Sequence, residues 1–241
     1  MHRRQFLQNA AFALGGLACA SEVLQAAEAI EAASQKPRRV GLIGTGWYGK
    51  SDLFRLIQVA PVEVVSLCDP DKKLLAEAAE MVAGRQRSKR VPRTYGDHRQ
   101  MLKEKDLDIV LIATPDHWHA LQTIWACQAG KDVYCEKPGS HNIFEGRQMV
   151  AAARKYNRIV QHGTQCRSSP NIREGIQKLR EGVIGRIYMA RAIAYKVKAG
   201  GKNQFGPTPP ELNWDLWLGP APQKPYNQLA ISRWRFLKDY G

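Results

Sequence analysis

The sequence predicts an α/β protein with a doubly wound parallel sheet, followed by the start of a second α/β domain. Short apolar runs alternate with segments of helical periodicity from Arg38 onward. Most of these runs are apolar throughout, as expected for parallel strands that helices cover on both faces. After Gly163 the alternation stops and the pattern changes. These three observations predict a first domain over residues 37–163 and a second over 164–241.

The elements of the first domain follow from the alternation. Strands are predicted at 40–43, 62–68, 93–95, 109–113, 132–135 and 159–161. Between them, three stripes of residues recur at helical spacing: Leu53, Leu56, Ile57 and Ala60; Leu74, Leu75, Ala78 and Met81; Gly146, Met149, Val150, Ala153 and Tyr156. Asn142 is a predicted N-cap of the third helix, with Glu145 three residues later. Strand–helix alternation of this kind implies right-handed crossovers and a doubly wound sheet.

The second domain is predicted to be incomplete. A helix with Ile172, Ile176, Leu179 and Val183 on one face leads to a strand at 186–195. A loop rich in Pro and Gly then spans about 196–226, and loops of that length often serve as functional covers. Because a single strand has no partners, we interpret the chain as a fragment of a longer protein.

Residues 1–36 are predicted to be a signal peptide and linker. Arg3 and Arg4 precede an apolar stretch over 10–20 that ends in Ala18-x-Ala20, the layout of a secretory signal. The arginine pair followed by Gln-Phe-Leu resembles a twin-arginine export signal. We expect a bacterial periplasmic protein with no stable membrane insertion after signal removal. A frayed N-terminal helix is the alternative.

Charge and cysteine usage argue against several other classes. The chain has 36 Lys and Arg against 22 Asp and Glu, a formal charge of +14, spread along its length. Its densest basic cluster, at 84–90, is interpreted as a solvated loop, with contact to an anionic partner as the alternative. No aromatic residues interleave there and no nucleic-acid-binding motif is present, so no nucleic-acid partner is expected. The cysteines lack CxxC spacing, so neither a metal site nor a disulfide framework is predicted.

A dinucleotide site is predicted at the first strand–helix junction. Gly44, Gly46 and Gly49 have GxGxxG spacing after a buried strand, and Asp69 ends the second strand about 20 residues later. This spacing lets the backbone approach a pyrophosphate that lies on the helix N-terminus. A carboxylate at Asp69 accepts from ribose hydroxyls and repels a 2′-phosphate, so NAD is favoured over NADP. The predicted site also includes the turn residues Thr45, Trp47 and Tyr48.

Four stretches, in order, resemble the glucose-fructose oxidoreductase / inositol dehydrogenase / MocA (Gfo/Idh/MocA) family: VGLIGTGWYGK, IATPDHWHA, CEKPGSHNIFEGRQM and DLWLGPAP. The resemblance covers about residues 37–241. Within the family, the stretches look most like the exported bacterial members that carry a twin-arginine signal. It implies a Rossmann domain joined to a second α/β domain, whose open sheet carries the substrate site. It also implies a homo-oligomer when the protein is full length.

The resemblance implies roles for residues after the fourth strand. The end of that strand contacts the cofactor in the family, which matches Ala113, Thr114 and Pro115. His117 matches a position near the nicotinamide. For His117, a role in helix capping or packing is an equal alternative to the role near the nicotinamide. For His119, capping or packing is the better interpretation. The two histidines are not expected to bind a metal together, because residues two apart do not share a helix face.

The family's Glu-Lys-Pro motif matches Glu136, Lys137 and Pro138. The resemblance implies that the lysine contacts the substrate hydroxyl or carbonyl and that the glutamate contacts the cofactor ribose. A lysine after a parallel strand lies at the ligand-binding edge, where partial burial lowers its pKa toward a useful range. Lys137 is therefore the predicted catalytic residue. Gln165 and Arg167 are implied substrate or cofactor contacts, with an ordinary surface arginine as the alternative for Arg167.

The function implied by the resemblance is an NAD(P)-dependent oxidoreductase acting on a sugar, polyol or derivative. A glycoside hydrolase of the same fold is an alternative, although such hydrolases carry a GGRG-like turn where this chain has GTGWYG. A non-catalytic nucleotide-binding protein is a third hypothesis. The family's second domain usually supplies an Asp and a His to the site, and no histidine occurs within 196–241.

Overall fold

Six parallel strands form one sheet in the computed structural model, which describes residues 37–193 and 204–241. The strand order is β3-β2-β1-β4-β5-β6. The strands are β1 (Arg38–Ile43), β2 (Val62–Cys68), β3 (Arg93–Tyr95), β4 (Ile109–Ile112), β5 (Asp132–Glu136) and β6 (Val160–Gly163). The order reverses between β1 and β4, which is the switch point of a doubly wound sheet. The predicted fold class is confirmed.

Helices connect the strands and cover both faces of the sheet. They are α1 (Trp47–Val59), α2 (Lys72–Arg85), α3 (His98–Met101), α4 (Asp116–Gln128) and α5 (Ile143–Lys155). Leu42 packs with α1 and α2 in one apolar cluster, whereas the next residue, Ile43, packs with α4 and α5 in another. This alternation arises because successive side chains of a strand point to opposite faces.

Side-chain caps fix where two of these helices begin. Asp71 accepts hydrogen bonds from the amides of Lys73 and Leu74 at the start of α2. At the start of α5, Asn142 accepts from the Glu145 amide at 2.9 Å, and Glu145 accepts in return from the His141 amide. The predicted N-cap at Asn142 is confirmed, and the return bond of Glu145 goes to the residue before the cap rather than to the cap amide of a regular capping box.

The described part of 164–241 is helical or irregular. It contains a 3₁₀ helix (Gln165–Ser168), α6 (Pro170–Arg180), α7 (Trp214–Leu218), α8 (Gln228–Arg233) and a second 3₁₀ helix (Trp234–Phe236). The predicted strand at 186–195 is wrong for residues 186–193, which have no strand partner in the described ranges, and Tyr195 lies outside them. The predicted loop at 196–226 contains α7, because Asn213 caps that helix by accepting from the Leu216 amide at 3.0 Å.

The segment 204–241 packs against the carboxyl edge of the sheet, so Arg38–Gly241 forms one compact unit. Trp214, Trp217, Tyr226 and Tyr240 belong to its own apolar cluster. Near β2, the Lys72 amide donates to the Glu211 carbonyl at 3.0 Å. Near α4, the indole of Trp118 donates to the Trp217 carbonyl at 3.1 Å. The segment is therefore attached to loops on both sides of the switch point.

The predicted signal and linker, residues 1–36, lie outside the described residues. Among the residues that the structure does describe, no helix is both long enough and apolar enough to cross a membrane.

Candidate functional site

A cavity of about 540 Å³ lies at the carboxyl edge of the sheet, where the strand order reverses. One side is formed by the β1–α1 turn and by the residues that follow β2 and β4. The segment 204–241 forms the opposite side through residues such as Trp217, Trp234 and Arg235. The volume of the cavity is within the usual range for ligand and cofactor sites.

The β1–α1 turn brings its backbone close to the neighbouring strand. Gly44 has a φ of +92°, and a Cβ there would lie 2.8 Å from the Ala113 carbonyl carbon. A Cβ at Gly49 would lie 2.1 Å from the Gly44 carbonyl oxygen. At Gly46, in contrast, a Cβ would meet no protein atom within 4 Å and would enter open space. The three glycines thus have the different roles that the GxGxxG spacing predicts.

The N-terminus of α1 is open toward the cavity. Gly46 occupies the N-cap position without a capping side chain, and the first turn carries no acidic residue. Gly46, Trp47, Tyr48 and Gly49 all line the cavity. Free amide N–H groups and the positive end of the helix dipole suit a pyrophosphate. The residues present therefore fit a dinucleotide.

Asp69 lies at the end of β2 and holds the glycine turn in place. Its Oδ2 accepts from the Thr45 amide at 2.7 Å and from the Thr45 hydroxyl at 3.1 Å, and its Oδ1 accepts from the Asp71 amide. Burial raises the pKa of Asp69, and these hydrogen bonds oppose the increase. Asp69 lines the cavity, where its contact with a ribose stays a prediction, whereas Thr45 is buried behind it.

Ala113, Thr114 and Pro115, which follow β4, also line the cavity, and their contact with a cofactor stays a prediction. His119 connects this loop to the loop after β5. Its Nδ1 lies 2.6 Å from the Pro138 carbonyl oxygen and its Nε2 lies 2.8 Å from the Thr114 carbonyl oxygen. Both partners are acceptors, so the ring hydrogen-bonds both loops at once only when both nitrogens carry hydrogen.

His117 does not line the cavity, contrary to its predicted place beside the nicotinamide. Its ring nitrogens lie 3.2 Å from the Trp217 carbonyl oxygen and 3.4 Å from that of Tyr240. Its ring also packs against the side chains of those two residues, and burial lowers its pKa. The geometry therefore favours the packing alternative, in which His117 anchors the segment 204–241.

The loop after β5 is arranged differently from what the resemblance implies. Lys137 is exposed rather than partly buried, and it lies outside the cavity lining. Glu136 is 3% exposed, and its carboxylate accepts from the Lys137 amide and from the Gln165 side chain. These two contacts are within the protein, and the implied contact between Glu136 and a ribose stays a prediction. Gln165 and Arg167 are exposed on the 3₁₀ helix after β6 and also lie outside the cavity lining.

Asp116 is a charged residue near the site that the sequence did not single out. It begins α4 directly after Pro115 and is buried. Burial raises the pKa of Asp116, and four basic side chains partly offset the effect: His119, Lys137, Arg235 and His141. The charge of Lys137 therefore acts on the Asp116 carboxyl group. No spacing rule identifies such a residue, because three of these neighbours, Lys137, His141 and Arg235, come from other parts of the chain.

Metal-binding and thiol chemistry have little support in this part of the molecule. Within residues 37–193 and 204–241, no group of three or more His, Cys, Asp and Glu side chains could hold a metal ion. Cys68 and Cys135 are buried, and burial raises the pKa of Cys135 to about 12. Thiols of this kind behave as small hydrophobic side chains.

Two family models match the chain. The model for an oxidoreductase family with an NAD-binding Rossmann fold, Gfo/Idh/MocA, matches residues 38–164. A model for the C-terminal α/β domain of an oxidoreductase family matches residues 179–240. The first match contains every predicted cofactor residue, from Gly44 to Glu136.

Curated relatives include glycosyl hydrolase family 109 protein 1 of Shewanella sp. (strain MR-4), which is 29% identical over 216 residues. The alpha-N-acetylgalactosaminidase of Shewanella oneidensis is 28% identical over 218 residues. Both alignments cover 80% of this chain and 45% of the relative. The chain thus spans about half the length of the curated relatives that it matches.

Solved structures with a similar fold include myo-inositol 2-dehydrogenase from Lactobacillus plantarum, with a TM-score of 0.56 and 28% identity. That match covers 63% of this chain and 43% of the dehydrogenase. The WlbA dehydrogenase from Chromobacterium violaceum, solved with NADH and UDP-GlcNAcA, gives a TM-score of 0.57 and 28% identity. It covers 64% of this chain and 43% of that protein.

Gly46→Ala is expected to weaken NADH binding about tenfold or more, which corresponds to an overpacking cost of about 1–3 kcal/mol. The new methyl group meets no protein atom but occupies the space through which a pyrophosphate approaches α1. The free energy of unfolding in urea should fall by about 1 kcal/mol or less, the cost of alanine in place of glycine at an N-cap. NADH titration followed by tryptophan fluorescence measures the Kd. Gly84→Ala, where a Cβ also meets nothing within 4 Å, is the control. Wild-type affinity in Gly46→Ala would contradict this interpretation of the turn.

Proposed function

The chain belongs to the Gfo/Idh/MocA oxidoreductase family, and from that premise we propose that it is part of an NAD-dependent dehydrogenase. The proposed reaction transfers a hydride between the nicotinamide and a hydroxyl-bearing or keto carbon of a sugar, polyol or derivative. The observation that carries the proposal is the cavity at the switch point, with the open N-terminus of α1 on one side and the β4 end on another.

The substrate class is inferred from similar proteins. The L. plantarum enzyme is named for myo-inositol, and the C. violaceum structure contains a nucleotide sugar acid. Both compounds carry several hydroxyl groups. A polyol or sugar derivative is therefore the class of substrate to test first.

The chain's own residues have distinct parts in this proposal. The amides at the start of α1 bind the pyrophosphate, and Asp69 holds the turn that presents them. Bound NAD would supply the hydride acceptor. Oxidation of an alcohol also requires removal of the hydroxyl proton, and Lys137 follows β5 at the same edge of the sheet. An amine at that position orients the hydroxyl and exchanges its proton.

The direct test is spectrophotometric. The full-length protein, purified with any bound nucleotide, is mixed with NAD and a panel of inositols, sugars and nucleotide sugars. Formation of NADH with at least one of them is the expected result. Absence of bound nucleotide together with absence of NADH formation would contradict the proposal.

A glycoside hydrolase is the second candidate, and the Shewanella relatives favour it specifically. In such an enzyme NAD is regenerated within each turnover, so no net NADH accumulates. An aryl α-N-acetylgalactosaminide separates the two candidates. Release of the aryl group without net NADH formation would favour the hydrolase, whereas NADH formation with a free polyol would favour the dehydrogenase.

Lys137→Met is expected to lower kcat by about 10²–10⁴, the usual contribution of a proton-transferring group. The Kd for NADH should stay near the wild-type value, because Lys137 lies outside the lining of the cofactor cavity. Stopped-flow turnover and NADH titration measure the two quantities. Lys73→Met, on the exposed surface of α2, is the matched control. An unchanged kcat in Lys137→Met would remove the lysine from the mechanism.

A further inference from the structure

One buried histidine lies between the two loops that meet at the candidate site. These are the cofactor loop (residues 113–115, after β4) and the lysine loop (residues 137–142, after β5). His119 is in the first turn of α4 and is 1% exposed. Its Nε2 lies 2.8 Å from the Thr114 carbonyl oxygen, and its Nδ1 lies 2.6 Å from the Pro138 carbonyl oxygen. One side chain therefore reaches from the cofactor loop to the lysine loop.

The contact with the lysine loop is made at a residue that has few ways to be held. Pro138 has no amide hydrogen, so its main chain can form a hydrogen bond only through the carbonyl oxygen. That oxygen is the one beside the His119 Nδ1. Because Lys137 directly precedes Pro138, the contact acts on the main chain one residue from the candidate catalytic lysine.

The contact with the cofactor loop is one of two that α4 makes with Thr114. The Thr114 hydroxyl donates to the Gln122 Oε1 at 2.9 Å, and its carbonyl oxygen lies beside the His119 ring. His119 and Gln122 are three residues apart and therefore share a helix face. Thr114 lines the cofactor cavity. The face of α4 thus holds a residue of the cavity, and His119 extends the same connection to the lysine loop.

The ring nitrogens make the histidine more than a packing residue. Both partners are carbonyl oxygens, which only accept, so each hydrogen bond takes its hydrogen from the ring. Packing alone would need no nitrogen at either position, and a leucine could supply it. A buried polar group that loses its partner costs more than a hydrogen bond contributes. The two bonds are therefore specific connections between the loops.

We propose that His119 is a positioning residue: its ring donates to the Thr114 and Pro138 carbonyl oxygens and holds the lysine loop against the cofactor loop. It thereby sets where Lys137 lies relative to a nicotinamide at the end of β4. His119 is not among the residues that line the cavity, so it acts through the two loops. The link to catalysis rests on the proposed function, whereas the two hydrogen bonds do not.

The ring itself provides the first test. Full-length wild-type protein containing ¹⁵N-histidine is studied by NMR, and the His119 signals are assigned by their loss in His119→Gln. A directly bonded hydrogen is expected on both ring nitrogens. A ring nitrogen without a hydrogen would leave one of the loops unbound and would overturn the proposal.

Two substitutions separate the two bonds, because an Asn amide places its donor near the Nδ1 position and a Gln amide near the Nε2 position. His119→Gln keeps the bond to Thr114 and loses the bond to Pro138. The Lys137 amide hydrogen, which donates to the Glu136 Oε2 at 3.1 Å, should then exchange about tenfold faster. The Kd for NADH should stay near the wild-type value.

His119→Asn is expected to show the reverse pattern. It keeps the bond to Pro138, so the Lys137 amide should exchange at about the wild-type rate. It loses the bond to the Thr114 carbonyl, so the Kd for NADH should rise about threefold, since Gln122 still holds the Thr114 hydroxyl. His119→Leu has neither donor and should show both changes. Gln128→Leu, at an exposed position of the same helix, is the control.

Activity separates positioning from substrate binding. In an active preparation, kcat should fall in His119→Gln while KM for the polyol changes little, and His119→Asn should retain most of the wild-type kcat. A rise in KM at unchanged kcat in His119→Gln would overturn the positioning role.

Two further results would overturn the proposal. If the Asn and Gln variants changed amide exchange and NADH affinity alike, the ring would act by packing. If His119→Gln and His119→Leu left the Lys137 amide at its wild-type exchange rate, the ring would not hold the lysine loop. Ring NMR, hydrogen exchange and NADH titration need no turnover, so failure of the dehydrogenase assay would leave their results decisive.

Discussion

The close approach of the β1–α1 turn to the end of β4 is the constraint on which the rest of the site depends. Gly44 and Gly49 lie so near neighbouring backbone that neither position has room for a Cβ. This contact brings the N-terminus of α1 to the switch point of the sheet. Asp69 then holds the turn from the β2 side through the Thr45 amide. The ends of β1, β2 and β4 thus form one surface on which a pyrophosphate can be bound.

Hydrogen bonds between loops extend this surface away from the nucleotide. His119 connects the loop after β4 to Pro138, and Glu136 connects β5 to the turn after β6. The segment 204–241 encloses the opposite side and is anchored through His117 and Trp118. Several of these bonds involve buried polar groups, which are costly to leave unpaired. The loops that carry the candidate site are therefore held by specific contacts as well as by the sheet.

Most of the sheet and the cofactor side of the site could be predicted from the sequence, because they depend on local patterns. Apolar runs identified the strands to within two residues, and the glycine spacing with Asp69 located the turn. The role of His117 could not be predicted in this way. Its partner Trp217 lies 100 residues away, and nothing local distinguishes a packing histidine from a ligand-binding one.

The predicted strand at 186–195 was wrong over 186–193, because strand formation requires a partner and the described residues supply none there. Apolar residues such as Ile187 and Tyr188 instead remain exposed in the described structure. Local composition indicates what a segment can form, whereas partners elsewhere in the chain decide what it does form.

A crystal structure of the full-length protein grown with NAD would test the central claim most directly. The account predicts that the pyrophosphate accepts hydrogen bonds from the amides at the start of α1. It also predicts that the nicotinamide lies against the residues after β4, on the side of Lys137. A dinucleotide bound away from the Gly44–Gly49 turn, or a nicotinamide directed away from Lys137, would contradict it.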